Sequence, residues 1–295
     1  MALIDHIRQC NTHELSRFVP FSIGAYRVGW VRPTLQEALL AYGEVFQRGA
    51  GGDLLLAPPL SDPATTAEDR DKAVGAVIAD LVDQNVLPTL KGEMYRVVPQ
   101  WGQPRLMSLD RHAVPAFGVR GYGVHLNVFR RDPDGLKMWI ARRSADRVNA
   151  PNKLDNLVAG GQPDDLGLDE NLIKEAAEEA GMPAVLAQNA RPVGAVTYCM
   201  EAASGLKPDT LFCYDLEVPE GFTPVNTDGE VSEVMLLPID AVLDILRSSD
   251  AFKYNVTLVI IDFLIRHGIL NPDTEPDYEA LLAGLHGWPG QKPPF

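Results

Sequence analysis

Along the chain the apolar positions alternate between a period of two and a period near 3.6, as expected for strands interleaved with helices. Leu3, Ile4, Ile7 and Leu15 predict a short helix over residues 3–17, and Tyr26, Val28 and Trp30 alternate within a strand over 21–31 that Pro33 ends. Thr34 caps a helix running to about Gln47, Gly49 to Gly52 forms a loop, and Val74, Val77, Ile78, Leu81 and Val82 line the inner face of a helix within 63–85. Strands are expected over 93–98 and 105–109. Residues 112–123 carry the chain into a second unit. There, strands over 124–130 and 136–142 meet at the hairpin signal DPDG, and strands over 194–200 and 210–218 bracket a turn at Gly205-Leu206-Lys207-Pro208. A strand over 234–237, helices over 241–246 and 256–267, and a proline-rich segment from Asn271 that reads as a loosely packed tail complete the pattern. The expected architecture is α/β (α+β): a mixed α/β unit over 1–110, a mixed sheet flanked by helices on both faces over 111–270, and a tail over 271–295.

The most informative stretch runs from Asp155 to Met182, DNLVAGGQPDDLGLDENLIKEAAEEAGM. Asp169 and Glu170 suit the first turn of a helix and Gly181 its C-terminal cap. At about 100° per residue, Leu172, Ile173, Ala176, Ala177 and Ala180 form one arc while Glu175, Glu178 and Glu179 share another face, expected to be exposed. A charge run of this kind is most often a solvated face. It is preceded here by Gly160-Gly161, whose backbone can approach a ligand closely. Magnesium is a hard ion, held by one or two carboxylates together with substrate phosphates, and such a face supplies the ligands. Metal ions bridging a diphosphate neutralise its charge and orient water for attack, so the chemistry that follows is pyrophosphate hydrolysis.

From Gly160 to Met182 the segment resembles the Nudix box, G-x5-E-x7-R-E-U-x-E-E-x-G-U with U apolar, at Gly160, Glu175, Ala176, Glu178, Glu179, Gly181 and Met182. Lys174 stands where that family has arginine, and Leu166 where it has the first glutamate; alignment on Gly161 puts Gly167 there instead. Asp164, Asp165 and Asp169 are the acids available to replace it, although lysine offers a point charge where arginine offers a fork. The resemblance implies an α/β/α Nudix sandwich and Mg²⁺ or Mn²⁺ held by Glu175, Glu178, Glu179 and the Gly160 carbonyl. It also implies catalytic roles for Glu178 and Glu179, phosphate contacts from Lys174 or Arg142, and a general base on the TDGE loop, at Asp228 or Glu230. The runs FGVRGYGVHLNVF, MWIARRSADR, LDNLVAGG and FLIRHG are similar to a branch of Nudix hydrolases related to the thiamine pyrophosphokinase-associated proteins. That likeness implies a small-molecule diphosphate partner, thiamine diphosphate or an oxidised derivative, and is compatible with a homodimer. Two other readings stand beside it. One is a module that binds a diphosphate for regulation without cleaving it. The other is an isomerase-like reaction needing a cysteine, Cys199 or Cys213, near the metal.

Composition narrows the classes further. A formal charge of −14 opposes binding to nucleic acid or an anionic membrane. Three scattered cysteines give no disulfide framework, and with no targeting pattern in MALIDHIRQC a cytosolic setting is expected. The apolar run 256–265 is broken by Asp262 and is too short to span a bilayer. Six histidines without H-x-x-x-H or H-E-x-x-H spacing give no support to a zinc hydrolase, and His125, inside a strand, is expected to be a packed or surface residue.

Overall fold

The alternating runs pair into two principal sheets in the structure, a computed structural model that describes residues 1–147, 149–227 and 229–287. The chain begins with α1 (Leu3–Cys10), β1 (Val19–Ile23), β2 (Tyr26–Val31), α2 (Pro33–Leu40), β3 (Phe46–Arg48) and β4 (Leu54–Leu56). It continues with α3 (Ala67–Asp83), β5 (Met94–Val97), β6 (Met107–Asp110) and α4 (Val114–Phe117). The order β2-β1-β4-β3 makes one sheet, and β5-β6 is a separate hairpin whose Tyr95, Val97, Met107 and Leu109 join the same core as Phe21, Phe46, Val74 and Phe117. Three predictions shift here. The 21–31 strand is two, because Gly24 at φ 58° reverses the chain and pairs Ile23 with Tyr26. The 34–47 helix stops at Leu40, and Phe46 is buried in a strand against Leu56. The 3–17 helix stops at Cys10, followed by a separate 3₁₀ turn over Leu15–Arg17.

The second sheet is built from β7 (Tyr122–Asp132), β8 (Gly135–Arg143), β9 (Leu154–Asn156), β10 (Val158–Gly161), β11 (Arg191–Ala202), β12 (Gly205–Glu217) and β13 (Val231–Pro238). Its order is β11-β12-β7-β8-β13, with β10 on β7 and β9 on β8; β12 runs parallel to β7 and the other pairs are antiparallel. The DPDG hairpin forms as predicted, Asp132 pairing with Gly135. The next turn falls instead at Ala203-Ser204, so Pro208 lies within β12 opposite Cys199.

Helices α5 (Leu168–Ala180) and α6 (Ala184–Ala187) cover one face; α7 (Ile239–Ser248), α8 (Val256–Arg266) and α9 (Tyr278–Leu285) pack on the other. Strand alternation sorts the residues between them: Val124, Leu126 and Val128 meet Leu172, Ala176 and Ala180, whereas Phe129 and Cys213 meet Leu258 and Phe263. This is the mixed sheet between helices expected from the pattern. Two parts of it exceed the expected boundaries. Leu3, Ile4, Ile7 and Cys10 of α1 pack into the α8 face, away from the rest of the N-terminal unit. The segment from Asn271 is not loosely packed throughout, because Leu281 and Leu285 of α9 are fully buried in that same core, each burial contributing about 1.5–3 kcal/mol.

Candidate active site

The strand β10 and the helix α5 bring the glutamates together. A Cβ on Gly160 would lie 2.3 Å from Cδ of Glu175, so only glycine lets that side chain lie across the strand. Ala159 N–H, which points away from β7, donates to Oε2 of Glu179 at 2.7 Å. Glu179 is therefore buried, 9% exposed, and not on the solvated face its spacing predicted, while Ala177 of the expected apolar arc is exposed. Burial pushes the Glu179 pKa well above the ordinary carboxylate value, against the lowering effect of the Ala159 amide. Burial also raises Glu175, opposed by Lys174. Glu178 remains open, with 48% of its side chain exposed.

Lys174 Nζ lies 2.7 Å from Glu178 Oε2 and 3.2 Å from Glu175 Oε1, a cation held between two carboxylates. Among the described residues no three His, Cys, Asp or Glu side chains lie together closely enough to hold a metal ion as they stand. The donor set nevertheless fits a hard divalent ion, for which the ammonium stands in. A half-exposed i,i+4 pair is worth only about 0.3–0.5 kcal/mol, too little to bar a divalent cation. The sheet register corrects the fourth expected ligand. Gln162 N–H donates to the Tyr122 carbonyl at 2.9 Å, which by alternation turns the Gly160 carbonyl toward Val124 of β7. The Ala159 carbonyl faces away from β7, on the side of the strand where its own amide meets Glu179.

The other expected residues are distributed less simply. Arg142 pairs with Glu233 at 2.8 Å, whereas Arg143, on the opposite side of β8, reaches Asp155 at 2.9 Å, as does Lys253 at 3.3 Å. Burial alone would raise Asp155, but Lys253, His125 and Arg143 outweigh it and hold its pKa low; this ion cluster lies beside Glu179. None of Asp164, Asp165 and Asp169 braces Lys174: Asp164 is held by Ser108 and Arg105, and Tyr214 Oη lies 3.4 Å from Asp169. The TDGE loop does come to α5, Thr227 Oγ1 donating to the Glu178 carbonyl at 2.6 Å. Glu230 on that loop pairs with Arg147, and Asp228 lies outside the described residues. Cys199 and Cys213 are fully buried in separate apolar clusters and their thiol pKa values are raised by burial, which leaves the isomerase-like reading without its cysteine. Sequence reasoning missed Ala159, Asp155 and Lys253, none of which carries a local spacing signal.

His125 is packed, not on the surface, with Nδ1 2.9 Å from Asn156 Oδ1, and burial, reinforced by Lys253, lowers its pKa from 6.5 to about 4. Because the folded value is depressed, the unfolded chain binds the extra proton first. Stability present above pH 6.5 is lost as pH falls toward 4. At pH 5 the loss attributable to this residue is about 2 kcal/mol. Denaturant titrations of the wild type and His125→Gln at pH 7 and pH 5 are expected to show a smaller pH-dependent drop in the variant, and equal drops would show that His125 does not titrate this way.

A glycine strand followed by a helix that carries Glu175, Glu178 and Glu179, on a mixed sheet between helices, suits metal-dependent hydrolysis of phosphoanhydrides. Residues 2–121 match a family model described as Domain of unknown function (DUF4743). Over 280 residues the chain is 40% identical to Nudix hydrolase 20, chloroplastic, of Arabidopsis thaliana, covering 92% of this chain and 74% of the relative. It is 39% identical to Nudix hydrolase 24, chloroplastic, of the same plant, over 96% and 77% of the two chains. An uncharacterized protein of Saccharomyces cerevisiae is 32% identical over 74% of this chain and 68% of its own. The chain belongs to the Nudix hydrolase family, enzymes that act on phosphoric anhydrides of small molecules and generally use divalent metals such as Mg²⁺ or Mn²⁺. The cytosolic expectation does not stand, since both plant relatives are named chloroplastic. Few cysteines and an unremarkable first ten residues do not fix a compartment.

Proposed function

We propose that this protein is a Mg²⁺-dependent pyrophosphohydrolase that cleaves thiamine diphosphate, or an oxidised derivative of it, to the monophosphate. The observation that supports the hydrolytic reading best is the cation held between Glu175 and Glu178 beside buried Glu179, with Gly160 leaving room for Glu175. Glu175, Glu178, Glu179 and the Ala159 carbonyl would hold the metal, which when bound neutralises the diphosphate and activates the attacking water. Glu178 is the accessible acid of the set and Glu179 the one fixed by backbone. The TDGE loop, tied to Glu178 through Thr227, offers Asp228 or Glu230 as the base. The thiamine part rests on the sequence runs similar to that branch and on charge, since a cationic thiazolium suits a chain of net charge −14.

Phosphate release with Mg²⁺ across thiamine diphosphate, its oxidised derivatives, ADP-ribose and dinucleoside polyphosphates tests this. The highest kcat/KM is expected for the thiamine compounds. A preference for neutral oxidised forms would remove the charge argument, and a clear preference for ADP-ribose would overturn the thiamine assignment. Leu166 at the missing acid's position, and Lys174 lodged among the carboxylates, favour one rival: a module that holds a diphosphate without cleaving it. Saturable diphosphate binding without turnover would select that rival.

A further inference from the structure

The N-terminal unit reaches the glutamates through β5. Asp164 N–H donates to the Met94 carbonyl at 2.9 Å, and Arg96 donates to the carbonyls of Asp164 at 2.7 Å and Leu166 at 3.3 Å, so β5 is tied to the segment that joins β10 to α5. Between these ties Tyr95 lies directly on the glycine strand: a Cβ on Gly161 would be 1.6 Å from its hydroxyl oxygen. Gly160, the next residue, is the one Glu175 lies across. Arg111 follows β6, donates through Nη1 to Glu93 at 2.8 Å, and its guanidinium lies 5.7 Å from the centroid of the Tyr95 ring. The Arg111 side chain is 44% exposed, so the guanidinium is open to solvent on one side.

The charge balance of the site shows why such a group matters. A diphosphate approaching three carboxylates is repelled unless metal and basic side chains invert the local sign. The nearby cations each have a carboxylate partner: Lys174 has Glu175 and Glu178, Arg143 and Lys253 share Asp155, Arg142 has Glu233 and Arg111 has Glu93. Among the described residues Arg111 donates from Nη1 to Glu93, and a planar fork can present further donors to phosphate oxygens. We propose that Arg111 is a substrate-binding residue supplied by the N-terminal unit, held by Glu93 and Tyr95 so that its guanidinium grips an anionic oxygen of the diphosphate opposite the glutamates of α5. This rests on the diphosphate-hydrolase reading above, and it gives the N-terminal unit a part in forming the active site.

The test measures imidodiphosphate binding by calorimetry in the presence of Mg²⁺, alongside hydrolysis kinetics and Tm, for the wild type and Arg111→Met. The variant is expected to bind imidodiphosphate about tenfold or more weakly and to show a similar rise in KM, with kcat changed far less and Tm nearly unmoved. Arg111→Lys is expected to fall between the two. If Arg111→Met fails to fold, Arg111→Gln, which can still bond Glu93, is judged on the same binding and KM values. Wild-type binding and KM in the folded neutral variant would overturn the role of Arg111 while leaving the hydrolase intact. A wild-type protein that neither binds imidodiphosphate nor hydrolyses any diphosphate would instead defeat the diphosphate reading, and this proposal with it.

Discussion

Glu178→Gln is expected to lower kcat by about a hundredfold or more while leaving Tm within about 2 °C of wild type. The substitution keeps the shape of the side chain and removes the charge that a divalent ion needs. Its structural cost is small because Glu178 is half exposed and its side chain is paired with Lys174 alone among the described residues, an interaction worth a few tenths of a kcal/mol. Steady-state kinetics in Mg²⁺ with a parallel thermal melt separates the two effects. Unchanged turnover in the variant, or full wild-type activity in excess chelator, would remove α5 as the metal-binding element.

Gly161→Ala is expected to be the most damaging single methyl group near the site. Its Cβ would sit 1.6 Å from the Tyr95 hydroxyl oxygen and 2.7 Å from Cζ, so the Tyr95 ring must swing away or β5 and β10 must separate. Overpacking of this kind costs about 1–3 kcal/mol, and at about 2–4 °C per kcal/mol for a domain of this size Tm should fall by several degrees. Activity should fall as well, because Ala159 and Gly160 ride on the same strand. Removing the Tyr95 hydroxyl opens part of the space, so Tyr95→Phe combined with Gly161→Ala should recover part of the lost Tm, a coupling that a double-mutant cycle measures. If Gly161→Ala melts with the wild type, the Tyr95 contact is not as drawn.

What the sequence revealed of this site was whatever is encoded over one or two turns of chain. Helix α5 could be bounded in advance because Asp169, Glu170 and Gly181 mark its ends, and the Glu175 to Glu179 spacing follows from helix geometry. That Glu179 is buried could not be seen, because its burial depends on an Ala159 amide freed by the pairing of β10 with β7. The choice between the Gly160 and Ala159 carbonyls depends on the same pairing: a shift of one residue exchanges them, and no local pattern fixes that parity. Arg142 and Arg143 present the same difficulty on β8, where neighbours point to opposite faces and only one reaches Asp155. Helix α9 was passed over because prolines on either side suggested a loose tail, although Leu281 and Leu285 have the four-residue spacing of a buried helical edge. Tyr95 and Arg111 sit more than sixty residues before the α5 acids, beyond the reach of any window-based reading.

The seating of α1 has a consequence for how the chain is made. Its apolar edge, Leu3, Ile4, Ile7 and Cys10, is covered by β11, α8 and α9, about 180 or more residues later in the sequence. On the ribosome that edge emerges well before those partners, so at about 5–20 residues per second it waits at least several seconds uncovered. The β1–β4 sheet and α3 can close around their own core in that interval. The α8-face core cannot, because both of its ends must be present. Translation pauses or a chaperone acting on the nascent chain should therefore influence the yield of active enzyme more through residues 3–10 than through any other part of the N-terminal unit.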